Sequence, residues 1–194
     1  MKPLDAIRQG LIEDGLLGKN AGDYGSPDEV MLVSAGPVSH LSRFSLLCGP
    51  SKRRVIVRQP SREQIPVASP HSPLAGQIDL ATNLPFTFHR EIWDGFSWKP
   101  DVSPSSTSLS NGLRDICACS NDRFSPHGSE NIPFIGPFWA GALSYDLVQM
   151  TQPLRLQHPP KEDDLLCVLW EIEHCIVHDK DNENLVVLST DADW

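Results

Sequence analysis

The sequence lacks any long apolar run, and it is short of cysteine and of positive charge. No stretch approaches the roughly 20 apolar residues that a membrane-spanning helix requires. The five cysteines are irregularly spaced, which does not suit a disulfide framework and favours a reducing compartment such as the cytoplasm. Lysine and arginine number 16 against 25 aspartates and glutamates, which gives a net charge of −9. We therefore expect no nucleic-acid or membrane partner, since both repel a net anion.

The motifs of several common catalytic and cofactor sites are also missing. The sequence contains no G-x-S-x-G, no G-x-G-x-x-G and no Walker loop, and its N-terminus has no signal-peptide core. Cys117 and Cys119 are spaced too closely for a typical zinc pair. His174, Cys175 and His178 form an incomplete ligand set, and we interpret them as ordinary core or surface residues. The residues by themselves predict no autonomous catalytic or metal site.

The N-terminal half contains one helical pattern and three short strand patterns. Apolar residues at helical spacing predict a helix over Pro3–Leu17 that stops at Gly18. Apolar and β-branched runs predict an antiparallel meander of three strands, at Val30–Val33, Phe44–Cys48 and Arg54–Arg58. Residues 60–130 are rich in proline and serine, which predicts an irregular insert with one helix around Leu109–Cys119.

The C-terminal third predicts a long β-hairpin. The continuous apolar run Leu165–Trp170 is typical of a strand buried on both faces, and it continues with alternation to His178. Polar residues Asp179–Asn184 then predict a turn before the strand Leu185–Leu188. Strands thus cluster at both ends of the chain. We therefore predict an α+β fold of mixed, mainly antiparallel sheets with a few helices, in one domain spanning residues 1–194.

Three ordered blocks resemble a known enzyme family. The run Trp139-Ala-Gly-Ala-Leu-Ser-Tyr-Asp-Leu147, preceded by Pro133-Phe-Ile-Gly136, resembles the P-F-x-G-G and W-A-G-Y-L-S-Y-D-L signature of component I of anthranilate synthase and aminodeoxychorismate synthase. Met31-Leu-Val-Ser34 and Ser42-Arg-Phe-Ser45 resemble its L-L-x-S and S-R-F motifs. Gln157–Asp164 and Ile176–Lys180 follow its acidic linker and D-K turn. The sequence departs from this signature at two places. Ala142 replaces the family's aromatic residue, and the two residues Pro137-Phe138 stand where the family has its single second glycine.

The resemblance implies a non-catalytic role for this region. In the family, such a segment is the N-terminal mixed α/β domain, and a chorismate-binding catalytic domain with magnesium-binding glutamates follows it. We expect that catalytic domain to be absent from this chain, so that no catalytic residue, metal ligand or cofactor is assigned to it. The implied partners are the chorismate-binding domain or chain and a glutamine amidotransferase subunit. Without the catalytic domain, we expect no amination of chorismate by the chain alone.

The resemblance also implies a ligand pocket. The family's N-terminal domain holds a tryptophan site, whose motif falls on Ser34, Arg43, Phe44 and Ser45, with Trp139 as a further candidate to pack against an indole ring. Val33 replaces the glutamate of the anthranilate synthase form, which favours the aminodeoxychorismate branch of folate and 4-aminobenzoate biosynthesis. The alternatives are the anthranilate branch of tryptophan biosynthesis, a stand-alone tryptophan-binding module and a gene remnant.

Overall fold

The protein is described by a computed structural model that covers residues 3–15, 17, 28–34, 39, 42–58, 85–118, 125–127, 137–147, 161 and 163–191. These residues form two α-helices, α1 (Pro3–Glu13) and α2 (Leu109–Ala118), and one 3-10 turn at Tyr145–Leu147. They also form eleven strands: β1 (Met31–Leu32), β2 (Phe44–Cys48), β3 (Arg53–Arg58), β4 (Pro85–Trp93), β5 (Trp98–Pro100), β6 (Ser105–Ser108), β7 (Ser125–His127), β8 (Phe138–Leu143), β9 (Leu165–Ile172), β10 (His174–Asp179) and β11 (Asn184–Ser189).

The strands divide into two sheets, and every strand pair in them is antiparallel. The first sheet has the order β1-β2-β10-β11-β7. The second has the order β5-β4-β3-β9-β8, and β6 also pairs with β4. The predicted α+β fold with mainly antiparallel sheets is therefore confirmed.

The two sheets and two helices stack as four layers. Alternate residues of a strand point to opposite faces of its sheet, so neighbours enter different cores. Leu46 packs between the two sheets with Ile172 of β9, while Leu47 packs on the outer face of the first sheet with Leu4 of α1. Helix α2 covers the outer face of the second sheet, where Ile116 joins the largest buried side chains. Both sheets thus have apolar residues on two faces.

The last third of the chain crosses from one sheet to the other. The run predicted as one strand is two strands, because β9 lies in the second sheet and β10 in the first. The crossing is at Glu173, whose carbonyl accepts a hydrogen bond from the Thr190 N–H at 3.0 Å. The predicted hairpin is confirmed for β10 and β11, which pair from His174–Ser189 to Asp179–Asn184. The predicted two-sided burial of β9 is also confirmed, since Leu166 is buried in the cluster on one face of the sheet and Ile172 in the cluster on the other.

Two predictions for the N-terminal half are corrected. The predicted meander is wrong at its second connection, since β2 and β3 form in the predicted places but belong to different sheets. Helix α1 ends at Glu13, before the predicted stop at Gly18. The physical reason is Gly15, whose φ of 75° takes the chain out of the helix, a conformation that glycine adopts without steric cost.

The expected irregular insert at 60–130 contains regular structure in its second half. Helix α2 is confirmed, but β4, β5 and β6 precede it and were not predicted. The alternation in β4 is visible in retrospect, because Phe86 and Phe88 are buried while Thr87 between them is exposed. Residues 60–84, 119–124 and 128–130 lie outside the described residues, as do Pro133–Gly136 and Gln157–Pro160 of the resemblance. No helix in the described part of the chain is both long and apolar enough to cross a membrane.

Candidate functional site

Four of the five predicted ligand-binding residues lie together at one end of the first sheet. Strand β2 pairs with β1 on one side and with β10 on the other. Ser34 follows β1, and Arg43 precedes β2, so the antiparallel pairing brings the two to the same end. Phe44 and Ser45 open β2 and pair with Asp179 and His178 of β10. We call Ser34, Arg43, Phe44, Ser45, Asp179, Lys180 and Asp181 the Arg43 cluster.

Hydrogen bonds join the three strands of the Arg43 cluster. The Ser34 N–H donates to the Ser45 hydroxyl oxygen at 3.1 Å. The Lys180 ammonium donates to the Ser34 carbonyl oxygen at 2.5 Å, and the Lys180 backbone N–H donates to the Arg43 carbonyl at 3.0 Å. Lys180 therefore connects the segment after β10 to both of the segments that carry the predicted serine and arginine.

The charged centre of the Arg43 cluster is a bidentate ion pair between Arg43 and Asp179. Arg43 donates from Nε to Asp179 Oδ1 at 2.8 Å and from Nη2 to Oδ2 at 2.5 Å, and Nε lies 3.3 Å from Asp181 Oδ2. The same guanidinium stands 4.7 Å from the centre of the Phe44 ring, a cation–π distance. The bonds from Arg43, followed by those from Asn182 and the Asp181 N–H, hold the pKa of the Asp179 carboxyl well below its usual range.

This low pKa predicts an acid-sensitive stability. A carboxyl whose folded-state pKa lies below its ordinary 3.8 contributes stability above that value, and the contribution is lost as the pH falls below it. We expect Asp179→Asn to lower the free energy of unfolding at pH 7 by about 1–3 kcal/mol, since it removes a charge-assisted hydrogen bond. Urea titrations between about pH 7 and pH 2 should also show a shallower loss of stability in the variant than in the wild type.

The matched control for Asp179→Asn is Asp14→Asn, an exposed aspartate just after α1. It makes the same change of charge without touching the Arg43 cluster. If the two variants had equal stability at pH 7 and parallel acid profiles, the ion pair would not carry the stability assigned to it.

The structure places Trp139 apart from the other predicted pocket residues. Trp139 lies on β8 opposite Glu171 and packs against the core cluster that includes Ile116 of α2. Phe44 packs instead against the cluster between the two sheets. An indole ligand in the Arg43 cluster would therefore meet Phe44, and Trp139 belongs to a different part of the molecule.

The residues considered as metal ligands do not converge. Cys175 points into the core between the sheets, where burial raises the pKa of its thiol to about 12. His174, its neighbour on β10, bonds instead through Nδ1 to the Ser189 hydroxyl at 2.8 Å. Cys117 is an exposed free cysteine, and Cys119 lies outside the described residues. Within the described ranges, no three histidine, cysteine or acidic side chains are grouped to hold a metal.

Sequence reasoning missed the two residues that organise the Arg43 cluster. Asp179 and Lys180 were assigned only to the turn after the predicted strand. A weak signal was present, because an acid and a lysine end the strand at Ile176–Lys180 in the third block of the resemblance. Only the register of β2 against β10 places Asp179 opposite Phe44 and beside Arg43.

Comparisons of the chain with protein-family models, with curated proteins and with solved structures find no match. The resemblance to the component I family therefore rests on the three sequence blocks described above. The structure places Ser34 and Ser42–Ser45 of one block beside Asp179 and Lys180 of another. Trp139, in the remaining block, lies in strand β8 at the edge of the second sheet.

Proposed function

We propose that this chain is the N-terminal, non-catalytic domain of an aminodeoxychorismate synthase component I-like protein. The complete enzyme of that kind uses chorismate and glutamine-derived ammonia to make 4-amino-4-deoxychorismate. The observation that carries the proposal is the meeting of two distant sequence blocks in the Arg43 cluster. Lys180 of the later block bonds to Ser34 and Arg43 of the earlier one, 146 positions away in the case of Ser34.

The proposed ligand of the Arg43 cluster is tryptophan. A zwitterionic indole needs a cation, an anion and an aromatic or apolar surface. Lys180 supplies an ammonium for the carboxylate, and the half-exposed Asp181 supplies a carboxylate for the ammonium. Phe44 is partly buried and offers its ring to the indole. Arg43 is already neutralised by Asp179, so its role is to hold Phe44 and the two aspartates in place.

The proposed partner is a chorismate-binding catalytic domain, which would carry the magnesium site, with a glutamine amidotransferase as the further subunit. An exposed apolar surface at the end of β8 supports such a partner. Leu143 and Tyr145 are 61% and 78% exposed, and Leu165 beside them is half-exposed. Large exposed apolar side chains that are grouped in this way are typical of interaction sites. The anthranilate branch remains the alternative, and Val33 in place of glutamate is the feature that favours the aminodeoxychorismate branch.

Titration of the chain with tryptophan tests the proposal. We expect amide chemical shifts of Ser34, Phe44 and Ser45 to move and to saturate at millimolar ligand, which corresponds to a binding free energy of about −4 kcal/mol. Phe44→Ala should weaken binding at least about five-fold, because it removes the ring contact. Ser34→Ala removes only the hydroxyl and should have a smaller effect in the same direction.

Ser106→Ala, at an exposed position of β6, is the matched control and should leave the binding curve unchanged. The proposal fails if tryptophan moves no resonance of the Arg43 cluster. It fails equally if Phe44→Ala, shown to be folded by its amide spectrum, binds as the wild type does.

A further inference from the structure

A pocket on the outer face of the second sheet contains an indole N–H and a guanidinium that have no acceptor among the described residues. It lies near the C-terminal part of α2 and is lined in part by Arg53, Arg90, Ile116, Trp139 and Glu171. The indole Nε1 of Trp139 is buried and has no hydrogen-bond partner in the part of the chain that the structure describes. An indole nitrogen can only donate, so its partner must be an acceptor that enters the pocket. A buried donor without a partner is costly, which makes this atom a marker of an incomplete site.

The second unsatisfied donor is the Arg90 guanidinium. Arg90 lies on β4 opposite Val55, on the same face of the sheet as the pocket. Its side chain is half-buried and has no hydrogen bond or ion pair with any described residue. The neighbouring Arg54 differs, because Asp28 and Glu91 neutralise it at 2.8 and 2.6 Å. A planar fork of N–H groups without a counter-ion is suited to a carboxylate.

Glu171, one of three acidic residues that line the pocket, does not supply the counter-ion of Arg90. Glu171 is buried, and its carboxylate lies 3.2 Å from Nη1 of Arg53. Arg53 and Glu171 therefore neutralise each other, as Arg54 and Glu91 do, which leaves Arg90 and Asp101 as the charged lining residues without an ion pair to a described residue. Asp101 also lines the pocket, and its backbone N–H donates to the Arg90 carbonyl at 2.9 Å. Its side chain is exposed, so water screens the carboxylate.

The size and the remaining walls restrict the ligand. The cavity measures about 80 Å³, which at about 10–15 Å³ for each water-sized group holds roughly five to eight non-hydrogen atoms. Val55 and Ile116 add apolar wall beside the indole ring of Trp139. A carboxylate with an aliphatic tail of two to four carbons fits this pocket. Arg90 and the Trp139 indole N–H would donate to its oxygens, and Val55 and Ile116 would pack against its tail.

We propose that this pocket is a binding site for a small aliphatic monocarboxylate, held by Arg90 and by the Trp139 indole N–H. The site is separate from the Arg43 cluster and does not depend on the proposed function. Its occupant would satisfy the indole donor and the guanidinium together.

The test is a titration of the full chain with butyrate at pH 7 and constant ionic strength, read from the indole N–H resonances. Trp139→Phe assigns the relevant signal by its loss. We expect the Trp139 indole proton to shift downfield and to saturate in the millimolar range, while the other indole signals stay in place. Butyramide, which has the same shape without the charge, should bind at least about ten-fold more weakly, and phosphate, which has charge without a tail, should do the same.

Arg90→Gln should weaken butyrate binding at least about ten-fold, and Arg114→Gln is its control. Arg114 is an exposed residue of α2 that makes the same charge change outside the pocket. The proposal is overturned if 50 mM butyrate, roughly ten times the expected dissociation constant, leaves the Trp139 signal unmoved. It is also overturned if butyramide or phosphate binds as well as butyrate, or if Arg114→Gln weakens binding as much as Arg90→Gln.

Discussion

Gly141→Ala should destabilise the protein by about 3 kcal/mol, at the upper end of the cost of overpacking. A Cβ at Gly141 would overlap the Val168 carbonyl oxygen and stand 2.9 Å from the Leu169 Cα. Both atoms belong to the backbone of β9, which is held between β3 and β8 and cannot withdraw without breaking its pairing with one of them. In thermal unfolding, the midpoint should fall by roughly 6–12 °C for a domain of this size.

The sign of the stability change shows which of two effects is larger, the strand preference of alanine over glycine or the close packing of β8 against β9. Gly141 is exposed, and alanine in place of glycine in a strand ordinarily stabilises by about 0.5–1 kcal/mol. Ala142→Ser, at the exposed neighbouring position of β8, is the control and should change stability by less than about 0.5 kcal/mol. A Gly141→Ala protein as stable as the wild type would show that β8 and β9 do not approach as closely as described.

Gly112→Ala and Gly10→Ala should change stability in opposite directions, although both positions are inside helices. A Cβ at Gly112 of α2 would overlap the ring of Phe88, which is 2% exposed and packed in the core cluster under the helix. We expect a loss of about 1–3 kcal/mol from this overpacking. A Cβ at Gly10 of α1 meets nothing within 4 Å. There the better helix propensity of alanine should stabilise by up to about 1 kcal/mol.

A double variant tests the assigned contact between Gly112 and Phe88. Phe88→Leu shortens the side chain that the new methyl group would meet, so Gly112→Ala should cost less in that background than in the wild type. Denaturant unfolding of the four proteins gives the coupling energy of the pair, which we expect to be at least about 1 kcal/mol. If the stability effects of Gly112→Ala and Phe88→Leu were additive, the strain caused by Gly112→Ala would not lie at Phe88. If Gly10→Ala and Gly112→Ala changed stability equally, the described packing of α2 would be contradicted.

Local composition determined several of the strands and, apart from the end of α1, both helices. The strands at Phe44–Cys48 and Leu185–Leu188 and the helix from Leu109 were predicted because each combines a clear apolar pattern with a turn or charge at its end. The α+β class followed from where these patterns fall along the chain. Strand β4 was missed because the proline- and serine-rich surroundings concealed the alternation of Phe86 and Phe88.

The sequence also determined part of the candidate site, and the tertiary structure decided the rest. Ser34 and Ser45 were expected to meet, because antiparallel neighbours joined by a short connection bring their ends together. Lys180, which bonds to Ser34, and Asp179, which bonds to Arg43, are more than 130 positions away from these partners, and only the register of β2 against β10 joins them. Trp139 was grouped with the same residues, but the tertiary structure places it in another cluster.

Assignment of strands to sheets was the step that the sequence by itself did not determine. An apolar run such as Leu165–Val177 has the same local pattern whether it stays in one sheet or crosses between two. Its first half is confined by β3 and β8, its second half by β2 and β11, and these neighbours come from distant parts of the chain. Pairing energy depends on those cross-strand contacts rather than on the run itself, so the neighbouring strands, and not the local sequence, determine the crossing at Glu173.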